Sequence, residues 1–400
     1  MKILALGGAG DMGRMAVTVL LSHPGVSSVT IADRNYNHAK KYVELTGSDK
    51  LFLKQIDVTD KEGLLKLISE HDLLLNTVGP YFLFGRDIME ASILAQRNSI
   101  DICDDWKPMS EVLDMDEKAR KAGVTAIVGM GSSPGILNLM AVRACSRLDE
   151  IDEIVTAWGL GGVKSGSRLP FYVSKKHLIQ EAGRTPPRSN AAIEHFLYEC
   201  TGNIPTFKNG RLIEIEALTE AEPFSFPGYK DVSVCHIGHP EPVTLPRTIK
   251  ANTVSNVMFY GKAITDLLRV YSKKISSHQM TITETAMSFE KEYYECFKMP
   301  EYQNLEFPPV LSLTVTGLKE GKRKKIAIGL KHAPYGQMAG ITGVPMAIAA
   351  IMLMENEIKA KGVITPESSI DPDRFFNRYA PYCGNDLTGE DVLIERETYI

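Results

Sequence analysis

The stretch from Lys2 to Asp33 constrains this chain most. A short apolar run, Lys2-Ile3-Leu4-Ala5-Leu6, leads into Gly8-Ala9-Gly10-Asp11-Met12-Gly13. Met12, Met15, Ala16, Val19 and Leu20 follow at helical spacing, and Val29-Thr30-Ile31-Ala32 then ends at Asp33. The order is strand, glycine turn, helix, strand, acid, and each part has a task in holding a dinucleotide. Gly8 permits the tight turn, Gly10 lets the backbone approach a pyrophosphate, and Gly13 lets the helix pack close to the strand. The free amides of the first helical turn, at Asp11 and Met12, attract the phosphates together with the helix dipole. Asp33, twenty residues after Gly13, can accept hydrogen bonds from an adenosine ribose. A carboxylate there favours NAD, because it repels the extra phosphate of NADP. Arg34 beside it can pair with a 2′-phosphate or stack on adenine, so NADP stays open.

The 400 residues suffice for two domains with full cores. A net charge of −4 lacks the basic excess of a nucleic-acid or anionic-membrane binder. The six cysteines are scattered, with no CxxC pair and no zinc spacing. That pattern predicts no metal and fits a reduced, cytoplasmic setting with the thiols as small core residues. The first strand begins at Lys2, so no signal peptide is expected. The longest apolar run, Met346 to Met354, is too short to cross a membrane.

Strand and helix signals alternate through the first third. Further strands are expected at 51–56, 72–76, 99–103 and 124–128. Helices between them include one opened by a Thr59/Glu62 capping-box spacing. Six strands with crossover helices give an α/β fold, a doubly wound parallel Rossmann sheet, over residues 1–131. Beyond residue 150 the strands read as antiparallel. Asn209-Gly210 and Glu320-Gly321 mark hairpins. This predicts a second α+β domain on a mostly antiparallel sheet over 132–337, for substrate and dimerisation. A C-terminal helical segment, 338–400, follows. Its run from Met346 to Leu353, after Thr342-Gly343-Val344-Pro345, is apolar nearly all round and so reads as buried. Residues 164–190, rich in Gly, Pro, Ser, Lys and Arg, read equally as a lid or a surface insertion.

In open α/β sheets the ligand lies beyond the carboxyl ends of the strands. The loops there offer Asp57-Val58 for the adenine and Thr77-Val78-Gly79-Pro80 for the nicotinamide ribose. Tyr81 either walls the nicotinamide pocket or simply packs. Asp104 and Asp105 can bind an amine or act as a base, and one of them can instead cap the next helix. Farther on, His239-Pro240-Glu241-Pro242-Val243-Thr244-Leu245-Pro246-Arg247 gathers polar groups on a proline-stiffened stretch. Arg247 suits a substrate carboxylate, with Glu241 and Thr244 beside it, or else a surface ion pair. His239 can exchange a proton near neutral pH, or be structural.

The Gly8–Gly13 turn, the Asn76-Thr77-Val78-Gly79-Pro80-Tyr81 loop, the Ile100–Asp104 strand and Gly131-Ser132-Ser133-Pro134-Gly135-Ile136-Leu137-Asn138 come in a telling order and spacing. Together they resemble the saccharopine dehydrogenase family, including its lysine 6-dehydrogenase-like members. Phe207–Arg211 resembles the family's substrate-domain hairpin. Thr342-Gly343-Val344-Pro345, with Gly362-Val363 and Pro366-Glu367, resembles its returning C-terminal segment. The resemblance implies an NAD(P)-dependent hydride transfer at a carbon bearing nitrogen, on an amino acid or an amino-acid/imine conjugate. It also implies a C-terminal helix that rejoins the nucleotide domain, and often a homodimer. Residues 164–190 depart from the pattern of the saccharopine and lysine enzymes, which leaves the substrate open. The alternatives are a reductase of carbon–carbon double bonds and a dinucleotide-sensing protein without catalysis.

Overall fold

The structure is a computed structural model that describes residues 1–173, 191–303 and 305–400. The lid or insertion expected over 164–190 lies, from residue 174 onward, outside these residues. The chain forms two compact units. The first comprises Met1–Leu139, Ser165–Pro186 and His332–Val392; the second comprises Met140–Lys164, Pro187–Lys331 and Leu393–Ile400.

Six strands of the first unit follow the expected order: β1 (Lys2–Leu6), β2 (Ser28–Asp33), β3 (Leu51–Gln55), β4 (Leu73–Asn76), β5 (Asn98–Asp101) and β6 (Thr125–Ile127). A seventh strand, Gly362–Ile364, pairs with β6. The sheet runs Gly362–Ile364, β6, β5, β4, β1, β2, β3, and every neighbouring pair is parallel. Ile3, Leu4 and Leu6 are fully buried, as a central parallel strand covered on both faces requires. The seventh strand has too few residues to show a period in the sequence; its pairing with β6 defines it.

The turn after β1 differs from expectation in one respect. The left-handed residue is Gly7, at φ +69°, and not Gly8. What Gly8 provides is space, since a Cβ there would lie 2.7 Å from Ile31 Cδ1 and 2.8 Å from Ala5 Cβ. At Gly13 a Cβ would lie 2.7 Å from both Gly7 O and Gly8 Cα. The helix Asp11–Leu21 thus rests directly on the turn. A second correction concerns the helix Lys61–Ser69. Its cap is Asp60, whose Oδ1 accepts the Gly63 N–H at 3.0 Å. Thr59 instead donates its hydroxyl to Asp57 Oδ1 at 2.7 Å, a local turn that competes with the cap.

The apolar C-terminal helix is longer than its pattern suggested. It runs Met338–Met354 with Pro345 inside it. Proline removes one helical hydrogen bond, but the helix is buried from Gly340 to Leu353, and that burial outweighs the loss. It packs on helix Asp11–Leu21 through Gly343, where a Cβ would lie 2.2 Å from Met12 O.

The second unit is built on an eight-stranded sheet ordered Arg211–Glu216, Asn203–Lys208, Ala251–Met258, Glu150–Trp158, Leu311–Lys319, Lys322–Leu330, Leu393–Tyr399, with Cys235–His236 added on Ala251–Met258. It is antiparallel except at its centre, where Glu150–Trp158 runs parallel to Ala251–Met258. Both expected hairpins form. Their turn residues Asn209 (φ 53°) and Gly210 (φ 72°), and Glu320 (φ 52°) and Gly321 (φ 73°), are left-handed, as a two-residue turn matched to strand twist demands. The central strands alternate. Ala157 and Val257 face a cluster with Phe224 and Phe226. Trp158 and Met258 face another with Leu197, Ile237 and Phe289. Thr156 and Asn256, two residues earlier, share that second face.

Gly343→Ala is expected to lower stability by about 3 kcal/mol, because the Met12 and Ala16 backbone of the facing helix cannot yield to an added methyl group. Urea unfolding checks this; a midpoint within error of wild type would contradict the close approach.

Candidate functional site

Because the first sheet is parallel, the loops after β1 to β5 all leave by one edge. The Gly8–Gly13 turn, Asp33-Arg34, Asp57-Val58, Thr77–Pro80 and Asp104-Asp105 therefore gather there. Chain order reverses between β1 and β4, which are neighbours, and that is where such sheets hold a ligand. Gly10 is the cap residue of helix Asp11–Leu21 and offers no side-chain oxygen to its amides. Gly10 is exposed, with Asp11 and Met12 half-buried. An uncapped first turn approached through glycine fits the pyrophosphate of a dinucleotide. Arg14, buried in the next turn, donates to Ala9 O at 2.8 Å and pairs with Asp11.

Asp33 ends β2 half-buried, and its Oδ1 accepts the Asn35 N–H at 2.8 Å. Burial raises its carboxyl above the usual range, against the pull of that hydrogen bond. Arg34 is exposed. Asp57 Oδ1 is held by Thr59, which keeps this carboxyl low, and Val58 beside it is half-buried. Thr77 donates its hydroxyl to Leu6 O at 2.9 Å, and Val78 N–H donates to Asn76 Oδ1 at 3.0 Å. These bonds tie the Thr77–Pro80 loop to β1 and β4. Gly79 leads into Pro80, the cap position of the helix Tyr81–Leu94.

Tyr81 and Asp105 sit where expected but are engaged in holding loops. The buried Tyr81 hydroxyl donates to Asn76 O at 2.7 Å and accepts the Ile102 N–H at 3.4 Å. Burial pushes its phenol well above its ordinary value. Asp105 is buried at the cap position of the helix Trp106–Leu113, and its Oδ2 accepts the Phe82 N–H at 3.0 Å. Asp104 is half-buried. Asp101, at the end of β5, escaped sequence reasoning. Its Oδ1 accepts the Cys103 and Gly129 N–H groups at 3.0 and 2.8 Å, and burial pushes its carboxyl up to about 6.

The second unit brings together a cluster of which the sequence showed only part. His239 is 1 % exposed and Glu241 fully buried. His239 Nδ1 lies 2.5 Å from Glu241 Oε2, and its Nε2 lies 2.9 Å from Glu199 Oε1. His195 Nε2 meets the same Glu199 oxygen at 3.0 Å. His195 and Glu199 are one helical turn apart on Ala191–Glu199. Asn256 Nδ2 donates to Thr156 Oγ1 at 2.8 Å and to Glu241 Oε2 at 3.4 Å. Trp158 stands edge-on to His239, ring centres 5.7 Å apart. Asn256 Oδ1 and Trp158 Nε1 are buried with no hydrogen-bond partner among the described residues. Thr244 is buried on the short helix Glu241–Thr244, whereas Arg247, three residues on, is exposed. The missed members, His195, Glu199 and Asn256, left one faint signal, the His195-x-x-x-Glu199 spacing.

Burial by itself would lower the His239 pKa, but Glu241 and Glu199 outweigh it and push the imidazole up to about 10. Burial likewise would raise Glu199, but the His195 and His239 charges hold it down at about 2. His239 is thus an imidazolium clamped between two carboxylates.

The model of the saccharopine dehydrogenase NADP binding domain matches residues 3–127, and that of the saccharopine dehydrogenase C-terminal domain matches residues 131–384. The chain belongs to the saccharopine dehydrogenase family. It is an NAD(P)-dependent oxidoreductase of the saccharopine dehydrogenase type, acting at a CH–NH centre. Similar proteins include a carboxynorspermidine synthase of Vibrio cholerae, 26% identical over 94% of each chain. A carboxyaminopropylagmatine dehydrogenase of Synechocystis is 22% identical over 92% of each. Apo saccharopine dehydrogenase (L-Glu forming) from Saccharomyces cerevisiae shares the fold, with a TM-score of 0.63 over 100% of this chain and 99% of that one, at 14% identity. No described helix is long and apolar enough to cross a membrane.

Two outcomes are expected of this family member. The raised His239 value contributes stability that is full below the ordinary imidazole range, about 6.5, and is lost as pH rises through about 10. In urea unfolding, the stability gap between wild type and His239→Asn should therefore narrow from pH 6 to pH 10; a constant gap would contradict the clamp. Asp33→Ala should weaken NADH binding by about 2 kcal/mol, one lost hydrogen bond to a charged group, and spare or improve NADPH binding. Fluorescence titration with each reduced cofactor reads both; equal losses would remove Asp33 from the ribose site.

Proposed function

We propose that this family member interconverts a carbonyl compound plus an amine with a secondary amine that bears a carboxylate and a further cationic amine. The observation that carries this reading is the end-to-end likeness to the V. cholerae carboxynorspermidine synthase, 94% of each chain and so including the second unit. That name and the name of the Synechocystis relative both describe carboxylated amines. The buried cluster supports it on physical grounds. Two carboxylates, Glu199 and Glu241, surround one imidazolium, an environment that attracts an ammonium group. The Trp158 ring adds a face on which a cation is stabilised. Asn256 Oδ1 and Trp158 Nε1 suit a ligand that both donates and accepts hydrogen bonds.

Bound NAD(P) supplies the hydride acceptor or donor. Gly8, Gly10, Asp11, Met12 and Gly13 hold the pyrophosphate, and Asp33 and Arg34 the adenosine ribose. Asp57 and Val58 border the adenine, and Thr77–Pro80 border the second ribose. Tyr81 and Asp105 hold these loops in register, and Asp104, half-buried at the same edge, is the acid that meets substrate. His239 fixes the charge of the cluster, Glu241 and Thr244 frame it, and Arg247 anchors a substrate carboxylate. In this reading the first unit handles the cofactor and the second the substrate. The chain works as a cytoplasmic homodimer; none of its six thiols is in a disulfide, and light scattering should give twice the 44.2 kDa chain mass.

The test is loss of absorbance at 340 nm when NADPH or NADH is supplied with an amino-acid semialdehyde or keto acid and one of a panel of diamines and simple amines. Consumption that needs both an acidic carbonyl compound and a diamine is expected. Turnover with monoamines or ammonia alone, and none with diamines, would overturn the proposed substrate class.

A further inference from the structure

The contacts at Glu199 are short, yet they are not hydrogen bonds. Its Oε1 lies 3.0 Å from His195 Nε2 and 2.9 Å from His239 Nε2, and it is buried with no hydrogen-bond partner among the described residues. Neither ring therefore aims an N–H at it with bonding geometry. A buried carboxylate oxygen is ordinarily hydrogen-bonded, so this one calls for a different kind of partner. Electron-pair donors arranged around one cation crowd in this way, each directed at the cation and none at its neighbour.

We propose that His195, Glu199 and His239 form a binding site for one divalent transition-metal ion, and that zinc is the ion it takes. His195 Nε2, Glu199 Oε1 and His239 Nε2 all lie within 4.8 Å of one another. Ligands held about 2.0–2.1 Å from a tetrahedral zinc sit roughly 3.3 Å apart, so the two short separations need to widen by only a few tenths of an ångström. Two imidazoles and a carboxylate are a donor set that zinc accepts, with a fourth position left for water. His195 and Glu199 stand one turn apart on the helix Ala191–Glu199 and so present their ligands on one side. His239 arrives from a separate stretch, beyond Cys235–His236. Glu241 supports it from behind: His239 Nδ1 lies 2.5 Å from Glu241 Oε2, a carboxylate that fixes the ring and leaves Nε2 as the ligand nitrogen. Asn256 Nδ2 donates to the same Oε2 at 3.4 Å. The charge count agrees. Glu199 and Glu241 bring two negative charges into the interior, and a divalent ion with neutral imidazoles cancels both, where a single imidazolium cancels one. Zinc thus takes the place of the proton that His239 Nε2 otherwise carries. The side chains are 15% exposed at His195, 7% at Glu199 and 2% at His239, so an ion enters past His195.

Zinc and the ammonium of the proposed substrate compete for the same pair of carboxylates. Metal binding is read on the full chain alone, without amine or cofactor, so failure of the diamine reading leaves it untouched. Protein dialysed against a chelator and then equilibrated with zinc chloride should retain one zinc per chain after gel filtration, measured by plasma mass spectrometry, and its melting temperature should rise. Cobalt(II) in place of zinc should give the visible absorption of a four-coordinate site. His195→Ala removes the most exposed ligand, where folding is least at risk. It should weaken zinc by more than about 100-fold, beyond the loss expected for a supporting residue, and abolish the cobalt bands, with a wild-type melting temperature in chelator. Glu241→Gln keeps all three ligands and weakens only the bond that orients His239; it should cost about 10- to 100-fold in affinity. A wild-type chain that retains no zinc, or a His195→Ala chain that holds zinc as tightly as wild type and so binds it at an adventitious surface position, would overturn the proposal.

Discussion

The first unit depends on backbone meeting backbone on two sides of the helix Asp11–Leu21. On one side Gly13 sits against the Gly7–Gly8 turn, with a Cβ excluded by contacts of 2.7 Å. On the other, Gly343 of the helix Met338–Met354 meets Met12 O, where a Cβ would lie at 2.2 Å. Two glycines far apart in sequence thus set the position of one helix. Its uncapped amides face the carboxyl edge of the sheet because the helix cannot sit elsewhere. The placements of the glycine turn and of the returning C-terminal helix are consequences of one packing constraint. That is why a segment more than three hundred residues from the glycine turn belongs to the nucleotide-binding unit.

The second unit is governed by electrostatics in a low-dielectric interior. Burying Glu199, Glu241 and His239 is costly for each alone. The cost is offset because each charge has an opposite neighbour within about 3 Å, which raises His239 and lowers Glu199. Buried ion pairs of this kind are weak evidence of stability gained and better evidence of function. An apolar cluster of the same volume would hold the sheet face as well. It would offer nothing to an ammonium group.

Much of the first unit was legible in the sequence. Six of its strands, the glycine turn and Asp33 read directly, because local periodicity and turn chemistry act over a few residues. The left-handed residue was misplaced by one, at Gly8 and not Gly7, because adjacent glycines carry the same local signal. Thr59 read as a cap where Asp60 serves, since both residues suit the role and only the backbone path chooses. Tyr81 and Asp105 looked like chemistry. Their engagement with Asn76 O, Ile102 N and Phe82 N depends on how β4 and β5 pair, which no residue spacing reports.

By itself, the sequence determined the Rossmann sheet, the two hairpin turns, the buried C-terminal helix and the stretch from His239 to Arg247. These rest on interactions between residues close in the chain or on simple apolar burial. Only the tertiary structure decided that Gly362–Ile364 completes the sheet. Only it decided that Pro345 lies inside a helix, and that His239 and Glu241 are buried while Arg247 faces solvent. Only it joined His195 and Glu199 to His239 and Asn256 from separate elements of the second unit. The physical reason is common to all of these. Hydrogen bonding and charge pairing act through space at about 3 Å, and their partners are set by sheet register and helix packing, not by distance along the chain.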